Sequence, residues 1–146
     1  MNRLITKRTL YSLIFLIALT AMGGSLYYSE IVGLTPCLLC WYQRIAMYPI
    51  VILSLVGLLK RDPMLPRYVM PLGVIGVLIA AYQYILQRLS AGGTVNIITP
   101  CAVGGTSCAT IDVQYFGFVT IPFMSLVAFI LIVLASFLAL RTDAWK

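Results

Sequence analysis

Four cysteines are the residues of this chain whose type and spacing could do chemistry. Cys37 and Cys40 stand three residues apart in PCLLCWYQR, and Arg44 follows four residues after the second of them. Cys101 and Cys108 flank the short segment AVGGTS. Thiols can form disulfides, exchange them or bind metal, so the position of each cysteine in the fold decides between these chemistries.

The composition is that of an integral membrane protein. Hydrophobic residues make up 62% of the chain and charged residues only 10%, whereas a soluble domain has about a quarter charged residues. A helix needs about 20 mostly apolar residues to cross a bilayer. The uncharged stretches cover residues 9–29, 45–59, 68–87 and 113–140. The second stretch is short, so its helix must take its first turn from WYQR, which places Arg44 inside the membrane boundary.

These stretches predict an all-α fold, an antiparallel bundle of four transmembrane helices in one membrane domain, residues 1–146. We interpret the first stretch as a helix and not as a cleaved signal peptide, because its apolar part is too long and no clear small-x-small site follows. Small residues in TAMGGS and GVIGVLIAAY predict close packing of the first and third helices. The predicted helices cover about 9–29, 41–59, 68–88 and 120–140.

Basic residues predict the orientation of the bundle. The two tails and the connection after the second span carry Lys and Arg, whereas the loops at 30–40 and 89–119 carry none. Segments rich in Lys and Arg face the cytoplasm, so both termini are expected inside and both of those loops outside. The same distribution accounts for the net charge of +6 without a nucleic-acid partner.

With this topology all four cysteines lie outside the cytoplasm, where disulfides persist. Four cysteines allow three pairings, and local geometry favours Cys37–Cys40 and Cys101–Cys108. The first two are close enough at a helix start, and AVGGTS is flexible enough to let the other two meet. The absence of histidine and the cysteine spacing disfavour a metal site. Because no Gly-rich phosphate motif is present either, the remaining electron acceptor is a lipid-soluble carrier.

We interpret the C-x-x-C pair as redox-active, because a bridge that closes so short a loop gains little unfolded-state entropy. A helix N-terminus and a cation on the same face favour a thiolate at Cys40. Arg44 could also donate to the oxygen of an electron acceptor, or alternatively extend to the lipid headgroups. Aromatic residues near the outer helix ends either line a pocket for this acceptor or, as we favour, form an interfacial belt. They are Trp41, Tyr42, Tyr82 and Tyr84.

Together these features resemble the DsbB family of quinone-dependent thiol oxidoreductases. The resemblance rests on the C-x-x-C pair that opens the second of four helices, on WYQR with Arg44, on the later cysteine pair and on YFGFVTIPFMS at the start of the last span. It covers nearly the whole chain. The segment between Cys101 and Cys108 is shorter than in the enterobacterial enzymes and is similar to that of the BdbC-type members.

The resemblance implies a multi-pass protein of the bacterial cytoplasmic membrane whose cysteine loops face the extracytoplasmic side. A reduced, DsbA-like thioredoxin-fold partner would form a mixed disulfide with Cys101 of the Cys101–Cys108 pair. Exchange between the loops would then reduce Cys37–Cys40. Cys40 would meet a quinone, either ubiquinone or menaquinone, and Arg44 would stabilise that state. The net products would be a disulfide in the partner and a quinol in the membrane.

Two other functions remain open from the sequence. One is a non-catalytic membrane subunit whose two disulfides only brace its loops. The other is a reductase similar to vitamin K epoxide reductase, which shares four helices and quinone chemistry but places its C-x-x-C pair late in the bundle. In this chain the pair comes early.

Overall fold

Four long helices make up the fold in a computed structural model that describes residues 2–91, 108 and 114–143. Each helix is long and apolar enough to cross a membrane. The predicted all-α, four-helix transmembrane architecture is therefore confirmed, while the orientation with both termini in the cytoplasm stays a prediction. The helices are α1 (Asn2–Leu26), α2 (Leu38–Lys60), α3 (Leu65–Ala91) and α4 (Ile121–Asp143).

The helices pack as a ring in which α1 and α3 each contact both α2 and α4. Apolar side chains from the helices fill the centre, among them Ile14, Ile50 and Phe129, which are fully buried. At Gly76 of α3, an added Cβ would overlap the ring of Phe129 on α4. The close packing predicted for the third helix is therefore confirmed, and it requires glycine at this position.

The small residues of the first helix behave differently. Among the described residues, nothing lies within 4 Å of a Cβ built on Gly23 or Gly24. The prediction of close helix packing at TAMGGS is therefore wrong for these two glycines. They leave open space beside α1, and Gly24 lines the larger of the two cavities described below.

The connection between α2 and α3 is short because its residues stop one helix and start the next. Arg61 adopts a left-handed conformation with φ of 55° directly after α2. The carboxylate Oδ1 of Asp62 accepts a hydrogen bond from the backbone N–H of Met64 at 2.8 Å. Pro66 lies in the first turn of α3, where its missing N–H leaves no helical hydrogen bond unmade. The segment KRDPMLPR, residues 60–67, thus ends α2 and begins α3.

We call the opposite end of the bundle the cysteine end, because Cys37 and Cys108 lie there. At this end α1 continues into a π-helical turn, Tyr27–Ile31. Before α4, two short antiparallel strands form a hairpin, β1 (Gln114–Tyr115) and β2 (Val119–Thr120). Arg88 of α3 holds the hairpin, since its Nη1 donates to the backbone oxygen of Gly117 at 3.3 Å.

The second helix starts at Leu38, three residues before the predicted boundary near residue 41. Cys37 is its N-cap residue and has an extended conformation (φ −70°, ψ 169°). The Cys37 sulfur accepts a hydrogen bond from the backbone N–H of Cys40 at 3.4 Å. Both cysteines are thereby fixed on the first turn of a transmembrane helix, and not on a loop.

The contact between Gly76 and Phe129 can be tested by substitution. Gly76→Ala should lower the free energy of unfolding by about 1–3 kcal/mol, because the new methyl group overpacks the α3–α4 contact. Gly76→Ala combined with Phe129→Leu should recover much of the loss. Thermal unfolding of the detergent-solubilised protein would measure both. Gly23→Ala is the matched control and should not destabilise the protein, and equal losses at both glycines would contradict the prediction.

Candidate active site

The two cysteines of the C-x-x-C pair lie side by side at the start of α2. Their Sγ atoms are 2.9 Å apart, and both residues are free thiols. A disulfide bond would bring the sulfur atoms to about 2.05 Å, so this is the dithiol form of the predicted pair. The Cys37–Cys40 disulfide itself stays a prediction. Cys37 is buried, and Cys40 is partly exposed.

The environment differs between the two thiols. Hydrogen bonding to Cys40, followed by burial, raises the pKa of the Cys37 thiol above its ordinary value. The two Sγ atoms are within hydrogen-bond distance of each other, and either thiol can be the donor. The Cys37 sulfur also accepts from the backbone N–H of Cys40.

A glutamine on α3 also binds both sulfur atoms. The Nε2 group of Gln83 donates to Sγ of Cys37 at 3.3 Å and to Sγ of Cys40 at 3.4 Å. Its Oε1 atom accepts a hydrogen bond from Nε2 of Gln43 on α2 at 2.6 Å. Gln83 is 2% exposed and Gln43 is 7% exposed. The dithiol is thus held by an amide pair that links α2 to α3.

Arg44 lies inside the bundle and binds α1. Its Nε donates to the hydroxyl of Ser25 at 2.9 Å, and its Nη2 donates to the backbone oxygen of the same residue at 2.9 Å. The guanidinium carbon is 5.5 Å from the centre of the Trp41 ring. With only 8% of its surface exposed, Arg44 is a fixed internal cation, and the alternative in which it extends to the headgroups does not describe this structure.

A large cavity of about 540 Å³ opens beside Cys40. Its walls are mostly apolar side chains of α1 and α4, and its polar groups gather near the cysteine end. Leu16 and Leu131 line it while being about half exposed, so the cavity reaches the outer apolar surface of the bundle. The polar groups that line it include Ser25, Cys40, Gln43, Arg44 and Gln83.

A small cavity of about 60 Å³ shares Cys40 and Arg44 with the large one and is also lined by Cys37 and Cys108. Cys108 is 1% exposed and packs in one cluster with Cys37, Leu39 and Leu86. It is disulfide-bonded. Cys101 lies outside the described residues, so its role and its pairing with Cys108 stay predictions. The structure therefore places a cysteine of the second pair next to the first pair.

Three site residues were missed by the sequence reasoning, Ser25, Gln43 and Gln83. The available signal was an uncharged polar side chain in an apolar span, which commonly marks a functional position or a contact between helices. Within the described part of the chain, no three metal-ligating side chains come together.

The aromatic residues singled out in the sequence lie elsewhere. Trp41, Tyr42 and Tyr82 are about half exposed, and Tyr84 binds the backbone oxygen of Phe118 through its hydroxyl at 3.5 Å. Among the described residues, the aromatic side chains that line the large cavity are Tyr28 and Tyr48. None of Trp41, Tyr42, Tyr82 and Tyr84 lines the large cavity, and the interfacial belt stays a prediction.

Comparison with known proteins gives one consistent family. Residues 7–139 match the family described as "Disulfide bond formation protein DsbB". The SPbeta prophage-derived disulfide bond formation protein B of Bacillus subtilis (strain 168) is 46% identical over 86% of this chain and 81% of its own length. Disulfide bond formation protein C of the same organism is 43% identical over 82% of this chain and 84% of its own.

A probable disulfide formation protein of Oceanobacillus iheyensis is 40% identical over 97% of both chains. No solved structure matches the chain. The matched segment contains α2 with its dithiol, Arg44, and the amide pair, and the relatives cover most of the chain. Two thiols at the start of the second of four transmembrane helices are thus found in a chain that belongs to the DsbB family of disulfide bond formation proteins.

Proposed function

We propose that this membrane oxidoreductase oxidises a DsbA-like thioredoxin-fold partner and passes the electrons to a membrane quinone. One observation carries the proposal. The dithiol opens through Cys40 onto a cavity of about 540 Å³ that reaches the apolar surface of the bundle and contains the fixed cation Arg44. Cavities of this size bind small organic molecules between helices, and a lipid-soluble acceptor could enter this one from the bilayer.

The residues around the cavity suit a quinone ring. Its walls are mostly apolar, as a ring and isoprenoid tail require, and Arg44 lines the same cavity as Cys40. Its guanidinium could therefore stabilise negative charge on an acceptor oxygen. When bound, a quinone would accept two electrons and two protons and leave as a quinol. Ubiquinone and menaquinone both have such a ring and tail, so the proposal covers both.

The chain's own residues would act in a fixed order. A thiolate of the partner attacks the Cys101–Cys108 disulfide at Cys101, and the partner's second thiol completes its own disulfide. The released thiols reduce the Cys37–Cys40 disulfide by the same exchange. Cys108 packs against Cys37, which supports this transfer. The reduced pair then gives up two electrons through Cys40, each of the two thiols releases one proton, and the Cys37–Cys40 bond forms again.

The structure argues against the two other functions left open by the sequence. A purely bracing pair has no use for an acceptor cavity, whereas Cys40 opens onto one of about 540 Å³. An enzyme similar to vitamin K epoxide reductase would carry its C-x-x-C pair late in the bundle. Here the pair caps α2.

The role of Cys40 is tested by Cys40→Ser. Purified protein mixed with a reduced thioredoxin-fold donor and excess quinone should consume quinone continuously, and the variant should lose this steady turnover because serine cannot form the disulfide. The variant should still oxidise up to one equivalent of donor through Cys101 and Cys108. Continuous quinone consumption by Cys40→Ser would show that another residue is the terminal electron donor.

The role of Arg44 is tested by Arg44→Met, which keeps the length of the side chain but removes its charge. The apparent KM for quinone should rise about tenfold or more, because a hydrogen bond to a charged group contributes about 1.5–3 kcal/mol. Arg88→Met is the matched control, since Arg88 lies at the same end of the bundle but binds Tyr84 and the hairpin. If both variants change KM equally, Arg44 does not bind the acceptor.

The large cavity is tested by filling it. Ala128 of α4 lines the cavity, and Ala128→Phe should place a ring in that volume. Quinone reduction should then fall at least about tenfold. Disulfide exchange between the donor and the cysteines, which alkylation of free thiols measures, should continue at its usual rate. Ile130→Phe, two residues away on the exposed side of α4, should leave both rates unchanged. If the two variants reduce quinone equally well, the acceptor binds elsewhere.

A further inference from the structure

Gln83 is a polar residue of the site to which the electron route assigns no step. It is almost completely buried, and its amide nitrogen is within hydrogen-bond distance of both sulfur atoms of the dithiol. An amide nitrogen has two hydrogens, so one residue on α3 can donate to Cys37 and Cys40 at the same time.

A second glutamine fixes the orientation of this amide. The Oε1 atom of Gln83 accepts from Nε2 of Gln43 at 2.6 Å. Because Oε1 is occupied in this way, the nitrogen of Gln83 must point toward the sulfur atoms. Burying an amide without such partners costs a few kcal/mol. Gln43 lies three residues after Cys40 on the same helix, so the geometry of the amide pair is coupled to that of the dithiol.

We propose that Gln83 is a positioning residue that stabilises the reduced dithiol relative to the disulfide and so raises the reduction potential of the Cys37–Cys40 pair. The half-reaction adds two electrons and two protons to the Cys37–Cys40 bond and gives two thiols. Thiol and thiolate sulfur atoms accept hydrogen bonds better than the sulfur atoms of a disulfide, since they carry more negative charge. The two N–H groups of Gln83 therefore favour the product of reduction.

This inference rests on the proposed function in that it treats Cys37–Cys40 as the pair that receives electrons from the second pair. A pair whose reduced form is stabilised is a stronger oxidant. The amide would thus favour electron transfer from Cys101 and Cys108 into α2. It would also explain why two neutral amides, and not two further apolar side chains, are buried at this point of a membrane bundle.

The experiment measures the equilibrium between disulfide and dithiol without quinone and without a partner protein. Full-length protein in detergent is equilibrated with mixtures of reduced and oxidised dithiothreitol, whose thiols supply or accept the two electrons. Free thiols are then alkylated, and mass spectrometry of the segment that carries Cys37 and Cys40 gives the reduced fraction of this pair alone. The equilibrium constant follows from the midpoint of the titration.

Gln83→Met keeps the length of the side chain and removes the donors. The equilibrium constant for reduction should fall about two- to tenfold, as expected for hydrogen bonds that contribute about 0.5–1.5 kcal/mol, and tenfold corresponds to about 30 mV. Gln43→Met should shift it in the same direction by less, because Gln83 keeps its nitrogen but loses the group that orients it. Leu86→Met is the matched control for packing, since Leu86 contacts the same cluster through apolar atoms, and should leave the constant unchanged.

The outcomes separate this inference from the proposed function. If the equilibrium constant for reduction is unchanged in folded Gln83→Met, or shifts equally in Leu86→Met, Gln83 is not a positioning residue. This conclusion would hold at any rate of quinone turnover. A lowered constant in a protein that never reduces quinone would support the positioning role and reject the proposed acceptor. If Gln83→Met does not fold, Gln43→Met decides: a lowered constant supports the role, and an unchanged one rejects it.

Discussion

Polar groups buried in a transmembrane bundle must bind one another, because the hydrocarbon around them offers no water to replace a missing hydrogen bond. At the cysteine end this constraint determines the arrangement of the site. Arg44 binds Ser25 of α1, and Gln43 binds Gln83 of α3. Both bonds start from α2, so the helix that carries the dithiol is tied to two neighbours by the residues that surround its sulfur atoms. The geometry of the thiols is thereby linked to the packing of the bundle.

The sequence predicted the transmembrane architecture well, because the absence of charge over about 20 residues is a strong and local signal. It also placed Arg44 inside the membrane boundary, since the second uncharged stretch was too short to span alone. The start of α2 was predicted too late. The position of an uncharged stretch shows the apolar part of a helix but not its N-cap. Here Cys37 is the N-cap, and the helix has already begun before Trp41. The orientation of the bundle depends on loop charges that the fold alone does not test.

The polar contacts of the site could not be predicted in the same way. In a soluble protein, helical periodicity separates the buried face from the exposed face. In a membrane bundle the lipid-facing and core-facing sides are both apolar, so the sequence does not show that Gln43 and Gln83, which lie 40 residues apart, face each other. Gln83 could be recognised from sequence only as a polar residue in an apolar span. That its amide binds two sulfur atoms became visible only once the positions of α2 and α3 were known.

The two thiols differ in the cavities that they border. Cys37 borders the small cavity together with Cys108, whereas Cys40 borders both cavities. A sulfur that exchanges with another cysteine needs that cysteine close by, and a sulfur that delivers electrons to a lipid-soluble acceptor needs open apolar space. Arg44 lines both cavities, as Cys40 does. The two sulfur atoms of the dithiol therefore have different surroundings, since Cys40 lines both cavities and Cys37 lines only the small one.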